Sequence, residues 1–259
     1  MSFDRHLLAR TAAAALLSLA APLAALAQSA APAAGAAPSG TLPETTADAD
    51  APTAQVNDPF EGFNRGVYSF NDAVDRTVVK PVATGYQKVV PEIVRGWVTN
   101  FFGNLDDAWS LVNLVLQGKP RQAYDMTVRV TTNTVLGLGG FLDIASAAGI
   151  ERHQEDFGQT LGWWGVPAGP FLMLPLLGPS QVRDAAALPL DMTWDNSFVD
   201  HEATKWQLTA LNAINTRANL LTASGLLDTV ALDRYSFLRD AYVQRRQSMV
   251  YDGNPPQPK

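Results

Sequence analysis

The sequence has 259 residues, of which 47% are hydrophobic and 17% charged, with a formal net charge of −6 and no cysteine. The negative charge disfavours a nucleic-acid-binding protein, and the absence of cysteine excludes disulfide bonds and thiolate metal sites. The charged fraction lies below the about 25% that is usual for a soluble domain, which indicates that water is not the only solvent this protein meets.

Residues 1–27 have the pattern of a cleavable secretory signal peptide, and residues 28–56 that of a disordered linker. Arg5 and Arg10 precede an Ala/Leu-rich core that ends in the cleavage-site sequence Ala25-Leu26-Ala27. A transmembrane anchor is the competing interpretation, but the apolar run is shorter than the about 20 residues of a span and contains Pro22. Cleavage would remove Arg5, Arg10 and Asp4, a net charge of +1, and change the charge from −6 to −7.

A single all-α domain is predicted over residues 57–252, followed by a loose tail at 253–259. Its first helix carries one apolar face and is predicted to stop at Pro81. That face comprises Phe63, Val67, Phe70, Val74 and Val78. The next helix starts with Pro91 in its first turn, has a wide and aromatic apolar stripe, and continues through a stretch from Asn104 to Gln117 that ends at Gly118.

A third long helix is predicted from Pro120 to about Leu136, where Gly137-Leu138-Gly139-Gly140 breaks it. Three later helices are expected: a short one after a possible N-cap at Ser180, one from Asp200 to about Thr222, and one from about Asp233 to Met249. Few stretches alternate with period two, which favours the all-α class.

The stretch from Phe157 to Val182 contains no charged residue, and four prolines and three glycines lie between Gly165 and Pro179. Prolines at this density exclude a continuous helix and an interior sheet strand. A hairpin beside a lipid-sized passage would satisfy its backbone; a buried loop covering an ordinary core is the other explanation. The candidate lipid-facing side chains on this hairpin are Phe171, Leu172, Met173, Leu174, Leu176 and Leu177.

Aromatic residues near this segment and on the second helix are candidates for a belt at the depth of lipid headgroups, where amphipathic rings are favoured. An ordinary core is the alternative for each of them. The belt candidates are Trp97, Phe101, Phe102, Trp163 and Trp164.

Signatures of catalysis and cofactor binding are absent from the sequence, and we expect a protein that is neither an enzyme nor a metal or cofactor carrier. There is no Gly-x-Ser-x-Gly nucleophile motif. The run from His153 to Asp156 lacks a second histidine at zinc-site spacing and is predicted to be a solvated polar loop. Gly137–Gly140 completes no phosphate-binding pattern and fits a helix terminator, and Asp106-Asp107 fits charges near a helix N-terminus.

Several ordered motifs closely resemble the MlaA (VacJ) family of phospholipid-binding lipoproteins. The resemblance covers nearly all of the chain from Asp58 to about Gly253. The motifs are Asp58-Pro59-Phe60-Glu61-Gly62-Phe63-Asn64-Arg65, Asn100-Phe101-Phe102-Gly103-Asn104-Leu105, Asn113 with Gln117-Gly118-Lys119-Pro120, Asn133-Thr134-Val135-Leu136-Gly137-Leu138-Gly139-Gly140-Phe141-Leu142-Asp143, and Asp156-Phe157-Gly158-Gln159-Thr160-Leu161-Gly162.

The resemblance implies a helical ring in the inner leaflet of the outer membrane, on the periplasmic side, with a channel that accepts phospholipid from the outer leaflet. It implies two protein partners: a trimeric outer-membrane porin, and a soluble, MlaC-like periplasmic carrier that receives the lipid. The family's mobile hairpin falls on about Gly165 to Pro179, with Gly165 and Gly169 as hinge candidates and the stiff Pro167 between them.

The absence of cysteine departs from the family's lipidated N-terminus, so we expect membrane retention through the apolar belt or a porin. Two other function classes remain. A scaffold would bind porins without carrying lipid, and a phospholipid hydrolase would release fatty acid or lysolipid from vesicles.

Overall fold

The computed structural model describes residue 56 and residues 58–195, 199–230 and 233–255, without the side chains of residues 195 and 226–230. The predicted signal peptide, all of the predicted linker except Val56, and the last four residues of the tail lie outside this part. In chain order the elements are α1 (Glu61–Val74), a π-helical turn (Asp75–Val79), α2 (Lys80–Val89), α3 (Glu92–Leu116), α4 (Pro120–Val135), α5 (Ile144–Ala147), α6 (Phe157–Trp163), β1 (Phe171–Leu174), β2 (Gly178–Gln181), α7 (Val182–Asp195), α8 (Glu202–Asn219), α9 (Leu221–Val230) and α10 (Arg234–Val250).

The expectation that the first helix stops at Pro81 is wrong. Helix α1 passes without a break through the π-helical turn into α2, and Pro81 lies in the first turn of α2. In the π turn the amide of Lys80 bonds to the carbonyl of Asp75, five residues earlier instead of four. This wider turn changes the backbone hydrogen-bond pattern just before Pro81. In a regular α-helix the missing N–H and the ring of the proline would disrupt that pattern.

The two central helices α3 and α4 are joined by Gly118, whose φ of 70° fits the left-handed close of a helix. Their contact includes the small core cluster of Leu114, Ala123 and Met126. The expectation that Asp106-Asp107 lie near a helix N-terminus is wrong, because both residues lie in the second half of α3. Asp107 is buried there and accepts from Arg129 Nε at 2.8 Å and from Arg152 Nε at 2.6 Å. Helix α4 ends at Val135, and the glycine run that follows acts as the predicted terminator.

The uncharged segment forms an antiparallel hairpin in which Phe171 pairs with Gln181 and Leu174 with Gly178. The chain is therefore mostly helical, as predicted, with one two-stranded sheet in the described residues. Ser180 is not the N-cap of α7, because it belongs to β2 and donates its hydroxyl to the carbonyl of Gln181. The second core cluster joins the hairpin to α10 through Phe171, Met173 and Tyr235.

The remaining helices agree with the sequence in position but not in every boundary. The expected helix from Asp200 to Thr222 is α8, which ends at Asn219, and α9 follows it at once. Helix α10 starts after Asp233, whose carboxylate accepts from the amides of Tyr235 and Ser236 and caps it. The short helices α5 and α6, capped by Asp143 and Asp156, were not predicted.

Burial in this fold is inverted relative to a water-soluble domain. Among the described residues, nineteen polar or charged residues are buried against fourteen apolar ones, and twenty-four large apolar or aromatic residues are exposed. The buried polar residues include six asparagines and three glutamines, which are seldom buried in ordinary proteins. No helix in the described ranges has both the length and the apolar composition of a membrane-spanning segment.

Candidate functional site

Two asparagines of α1 hold the outer edge of the hairpin. Asn64 accepts from the amide of Met173 at 2.8 Å and donates to the carbonyl of Phe171 at 3.2 Å. Asn71, two helical turns later, accepts from the amide of Leu176 at 2.8 Å and donates to the carbonyl of Leu174 at 3.0 Å. The edge of β1 that β2 leaves unpaired is thus satisfied by two side-chain amides, each of which offers one donor and one acceptor.

The candidate lipid-facing side chains divide between the two faces of the hairpin. Phe171 and Met173 are fully buried, and Phe171 lies edge-on to Tyr235 with ring centroids 6.2 Å apart. Leu172, Leu174, Leu176 and Leu177 are only partly buried. In this conformation these four leucines are partly accessible, whereas Phe171 and Met173 would become accessible only if the hairpin moved. The assignment of all six to a lipid path stays a prediction.

The two hinge candidates differ in their surroundings. Gly165 has a φ of 90° with open space where a side chain would be, and Gly169 has a φ of 74° with Val182 Cβ 3.0 Å from the position of a Cβ. Both conformations favour glycine, and Gly169 is also held by a close neighbour. Their function as hinges stays a prediction.

A buried ionic cluster anchors the segments on either side of the hairpin to α10. Arg246 donates to Asp156, the N-cap of α6, with Nη2 at 2.6 Å, and to Asp184 of α7 with Nε at 2.8 Å. Burial disfavours ionised Asp156, but the charge and hydrogen bonds of Arg246 outweigh it and lower the pKa of this carboxyl group. Tyr242 and Arg183 also donate to Asp184.

Glycines of α6 allow this cluster to approach the helix closely. A Cβ at Gly158 would lie 2.5 Å from Arg246 Nη2, and one at Gly162 would lie 2.6 Å from Arg183 Nη1.

The expectation that His153 to Asp156 form a solvated polar loop is wrong. Glu155 is buried and accepts from Gln117 and Lys119, at 2.9 and 3.3 Å.

Asp191 of α7 lies in surroundings that disfavour the ionised form of its carboxyl group. Its Oδ1 accepts from Trp109 Nε1 at 2.7 Å and from the amide of Phe157 at 3.0 Å. Burial, and secondly the nearby charge of Asp156, raise the pKa of Asp191 to about 6. Because the folded pKa is above the unfolded value of about 3.9, ionisation of Asp191 favours the unfolded chain, and its cost grows as pH rises through about 4 to 6.

Replacement of Asp191 by Asn is expected to raise the free energy of unfolding by about 1–2 kcal/mol above pH 7, discounted for its partial exposure. The amide oxygen can still accept both hydrogen bonds. Below pH 4 the gain should vanish. Denaturant titrations of detergent-solubilised protein across this pH range measure the effect, with the exposed Asp200→Asn as control. An equal gain at pH 3.5 and pH 7.5 would contradict the pKa assignment.

The belt candidates lie at or near the surface. Trp97, Trp163 and Trp164 are exposed, while Phe101 and Phe102 are half-buried. Phe101 stacks on the exposed ring of Phe141 at 5.2 Å between centroids. Trp163 lies over Lys119 Nζ, 4.4 Å from the ring centroid. These positions are compatible with a belt, but contact with lipid stays a prediction.

Sequence reasoning missed the groups that hold the site together. Asn64 lies in one of the quoted motifs, yet only its spacing of seven residues from Asn71 hints at a shared face of α1. Nothing in the sequence pairs Arg246 with Asp156, ninety residues away. In the described part of the chain, no group of three or more His, Asp or Glu side chains could hold a metal ion.

The chain is similar to one known family of lipoproteins over most of its length. A family model described as MlaA lipoprotein matches residues 56–249. The intermembrane phospholipid transport system lipoprotein MlaA of Escherichia coli (strain K12) is 38% identical over 209 residues, covering 76% of this chain and 80% of that protein. The protein of the same name from Haemophilus influenzae is 35% identical over 205 residues, covering 77% of this chain and 82% of that protein.

A solved structure described as "Structural basis for maintenance of bacterial outer membrane lipid asymmetry" superposes with a TM-score of 0.64 at 36% identity, covering 74% of this chain and 98% of that chain. The family match spans the helices, the hairpin and the ionic cluster described above. This chain therefore belongs to the MlaA lipoprotein family.

Proposed function

We propose that this protein takes mislocalised phospholipid from the outer leaflet of the outer membrane and passes it toward the periplasm, so that the asymmetry of the membrane is maintained. The relatives named above are phospholipid transport proteins, and the related structure concerns outer-membrane lipid asymmetry. The protein acts as a conduit, and no covalent bond is made or broken in the proposed step.

The observation that carries this proposal is the inverted burial. Exposed apolar side chains such as Phe63, Ile93, Val115 and Leu136, each at least 64% exposed, suit contact with hydrocarbon. Together with the aromatic belt candidates, they would seat the protein in one leaflet without a spanning helix. The sequence holds no cysteine, so this surface would contribute to membrane retention without acylation of a thiol.

The polar interior supplies the other half of the argument. Moving a charged or zwitterionic headgroup through hydrocarbon is costly, and buried amides and ion pairs offer a route with hydrogen-bonding partners. Acyl chains remaining against apolar surface keep about 0.8 kcal/mol of stabilisation per methylene. We propose that the hairpin leucines line the place where both requirements meet. We further propose a trimeric porin and a soluble periplasmic carrier as protein partners.

Photocrosslinking in living cells tests this function. A photoreactive residue at Leu174 should capture phospholipid that mass spectrometry identifies, whereas one at Asp240, an exposed polar position of α10, should not. A scaffold that binds porins without lipid predicts no difference between the two positions. Absence of lipid at Leu174 in folded, outer-membrane-localised protein would refute the transport proposal.

Replacement of Leu174 by Arg is expected to reduce phospholipid transfer at least about tenfold. A guanidinium on the partly accessible hairpin face would cost about 2.5–3.5 kcal/mol in hydrocarbon, and each 1.4 kcal/mol corresponds to about a factor of ten. Transfer from outer-membrane-like vesicles to an acceptor is the measurement, and Leu174→Met is the matched control. Normal transfer by stably folded Leu174→Arg would remove the hairpin from the lipid path.

A further inference from the structure

A polar cleft lies apart from the hairpin. It has a volume of about 560 Å³, and its walls are the start of α4, the loop before α6 and the C-terminal end of α10. No residue of the hairpin lines it. The volume is within the range of about 300–1,000 Å³ that is usual for small-molecule sites. Gln122, His153, Arg245 and Ser248 are among the lining residues.

Three polar atoms at this cleft are buried without a hydrogen-bond partner: Arg245 Nη1, Gln122 Oε1 and His153 Nε2. Within the described ranges Arg245 makes no hydrogen bond or ion pair, in contrast to its neighbour Arg246. Buried polar groups are almost always satisfied, because leaving one unpaired is costly. Burial, and secondly the charge of Arg246, lower the pKa of Arg245, so a bound anion would relieve both effects.

The cleft also carries negative charge at other points of its wall. Glu151 is exposed, and Asp252 shares Lys119 with buried Glu155. The side chains therefore offer a free guanidinium together with carboxylates and an unpaired amide oxygen. A ligand with both an anionic oxygen group and N–H donors would match this set better than a simple anion.

Lys119 connects the cleft to a neighbouring apolar surface. Lys119, which binds the cleft carboxylates of Glu155 and Asp252, lies under the ring of Trp163. Trp164 Nε1 donates to the carbonyl of Leu116 at 3.2 Å, and both of these side chains are exposed beside exposed Val115. Tryptophan and lysine next to aliphatic surface are typical of headgroup depth in a membrane.

We infer that this cleft binds the phosphoethanolamine headgroup of a phospholipid, with its phosphate on Arg245 and its ammonium at Gln122 Oε1 and Glu151. The acyl chains would then lie against Val115, Leu116 and Trp164. This inference rests on the proposed function for the placement of that surface in the membrane, but it assigns a headgroup site separate from the hairpin.

The test uses the purified full-length protein in vesicles of equal amounts of phosphatidylethanolamine and phosphatidylglycerol, with a photoreactive residue at Ser248 or at Leu174. Phosphatidylethanolamine should dominate capture at Ser248. Arg245→Met should lower that capture at least about tenfold, and Gln122→Leu should lower it too. Exposed Arg121→Met, which removes the same charge outside the cleft, should leave it unchanged. Capture at Leu174 should be unaffected in all three variants.

Each other result would overturn the inference. Equal capture of phosphatidylglycerol at Ser248 would show that the cleft has no site for the ammonium group. Loss of lipid capture at Ser248 in excess inorganic phosphate would indicate a site for free anions. No Arg245-dependent lipid at Ser248, with lipid still captured at Leu174, would refute this site and leave the proposed function intact. Absence of lipid at both positions in folded protein would refute the proposed function as well.

Discussion

Replacement of Arg246 by Met is expected to destabilise the fold by about 3–5 kcal/mol, because Asp156 and Asp184 would then lose the cation between them. Arg246 is buried, and its pKa is raised because its two carboxylate partners outweigh the opposing effect of burial. Its loss would loosen α6 and α7 from α10 together, since one side chain bonds to both. Denaturant unfolding in detergent measures the change.

The matched control is Arg76→Met, which removes an exposed arginine paired with Asp72 one helical turn away. Exposed pairs of this kind contribute less than about 1 kcal/mol. Adding Asp156→Asn to Arg246→Met should recover part of the lost stability, because the uncompensated charge of Asp156 disappears, whereas Asp184 keeps Arg183 as its partner. Equal effects of Arg246→Met and Arg76→Met would show that the buried cluster contributes no more than a surface pair.

Replacement of Asn64 by Leu is expected to cost about 2–5 kcal/mol and to release the first half of the hairpin from α1. The amide of Met173 and the carbonyl of Phe171 would both lose their side-chain partner, and each buried, unsatisfied group costs about 1–3 kcal/mol. Asp58, which accepts from Asn64 at 2.8 Å, would lose a donor as well. Hydrogen exchange of the Met173 amide should accelerate at least about tenfold.

Ser69→Ala on the same helix is the control, because its exposed hydroxyl only donates to the carbonyl of Arg65. It should change stability by less than about 0.5 kcal/mol and leave exchange at Met173 unaltered. Asn71→Leu should instead accelerate exchange at Leu176. If exchange at Met173 accelerated no more than exchange at amides remote from the hairpin, local release of the hairpin would be disproved.

The all-α class, the helices α3, α4 and α10, and the apolar hairpin were accessible from the sequence because they depend on local signals. Apolar spacing of three and four residues, Gly118 after α3 and Asp233 before α10 all act within one or two turns. Pro81 misled the prediction because a π-helical turn is a small change in hydrogen bonding that no composition rule signals.

The interior of the protein could not be predicted by the same rules. Periodicity finds an apolar face but assumes that it points inward, whereas Phe63 and Phe70 of α1 are exposed and Asn64 and Asn71 are buried. The polar groups that hold the site are satisfied over long sequence distances, such as from Arg129 to Asp107 and from Arg246 to Asp184. The run from His153 to Asp156 looks like an exposed polar loop in the sequence, because the partners of buried Glu155 lie on other elements.

The hydrogen bonds of Asn64 and Asn71 to the hairpin also require that helix and strand match in length. Seven residues of α1 rise about 10.5 Å, and the three-residue step on β1 from the Phe171 carbonyl to the Leu174 carbonyl, which Asn64 and Asn71 bind, spans about 10 Å. A slip of one residue would turn the opposite face of the strand toward α1 and remove all four hydrogen bonds at once. No neighbouring register would keep these hydrogen bonds. The two asparagines therefore fix the hairpin at a single position along α1.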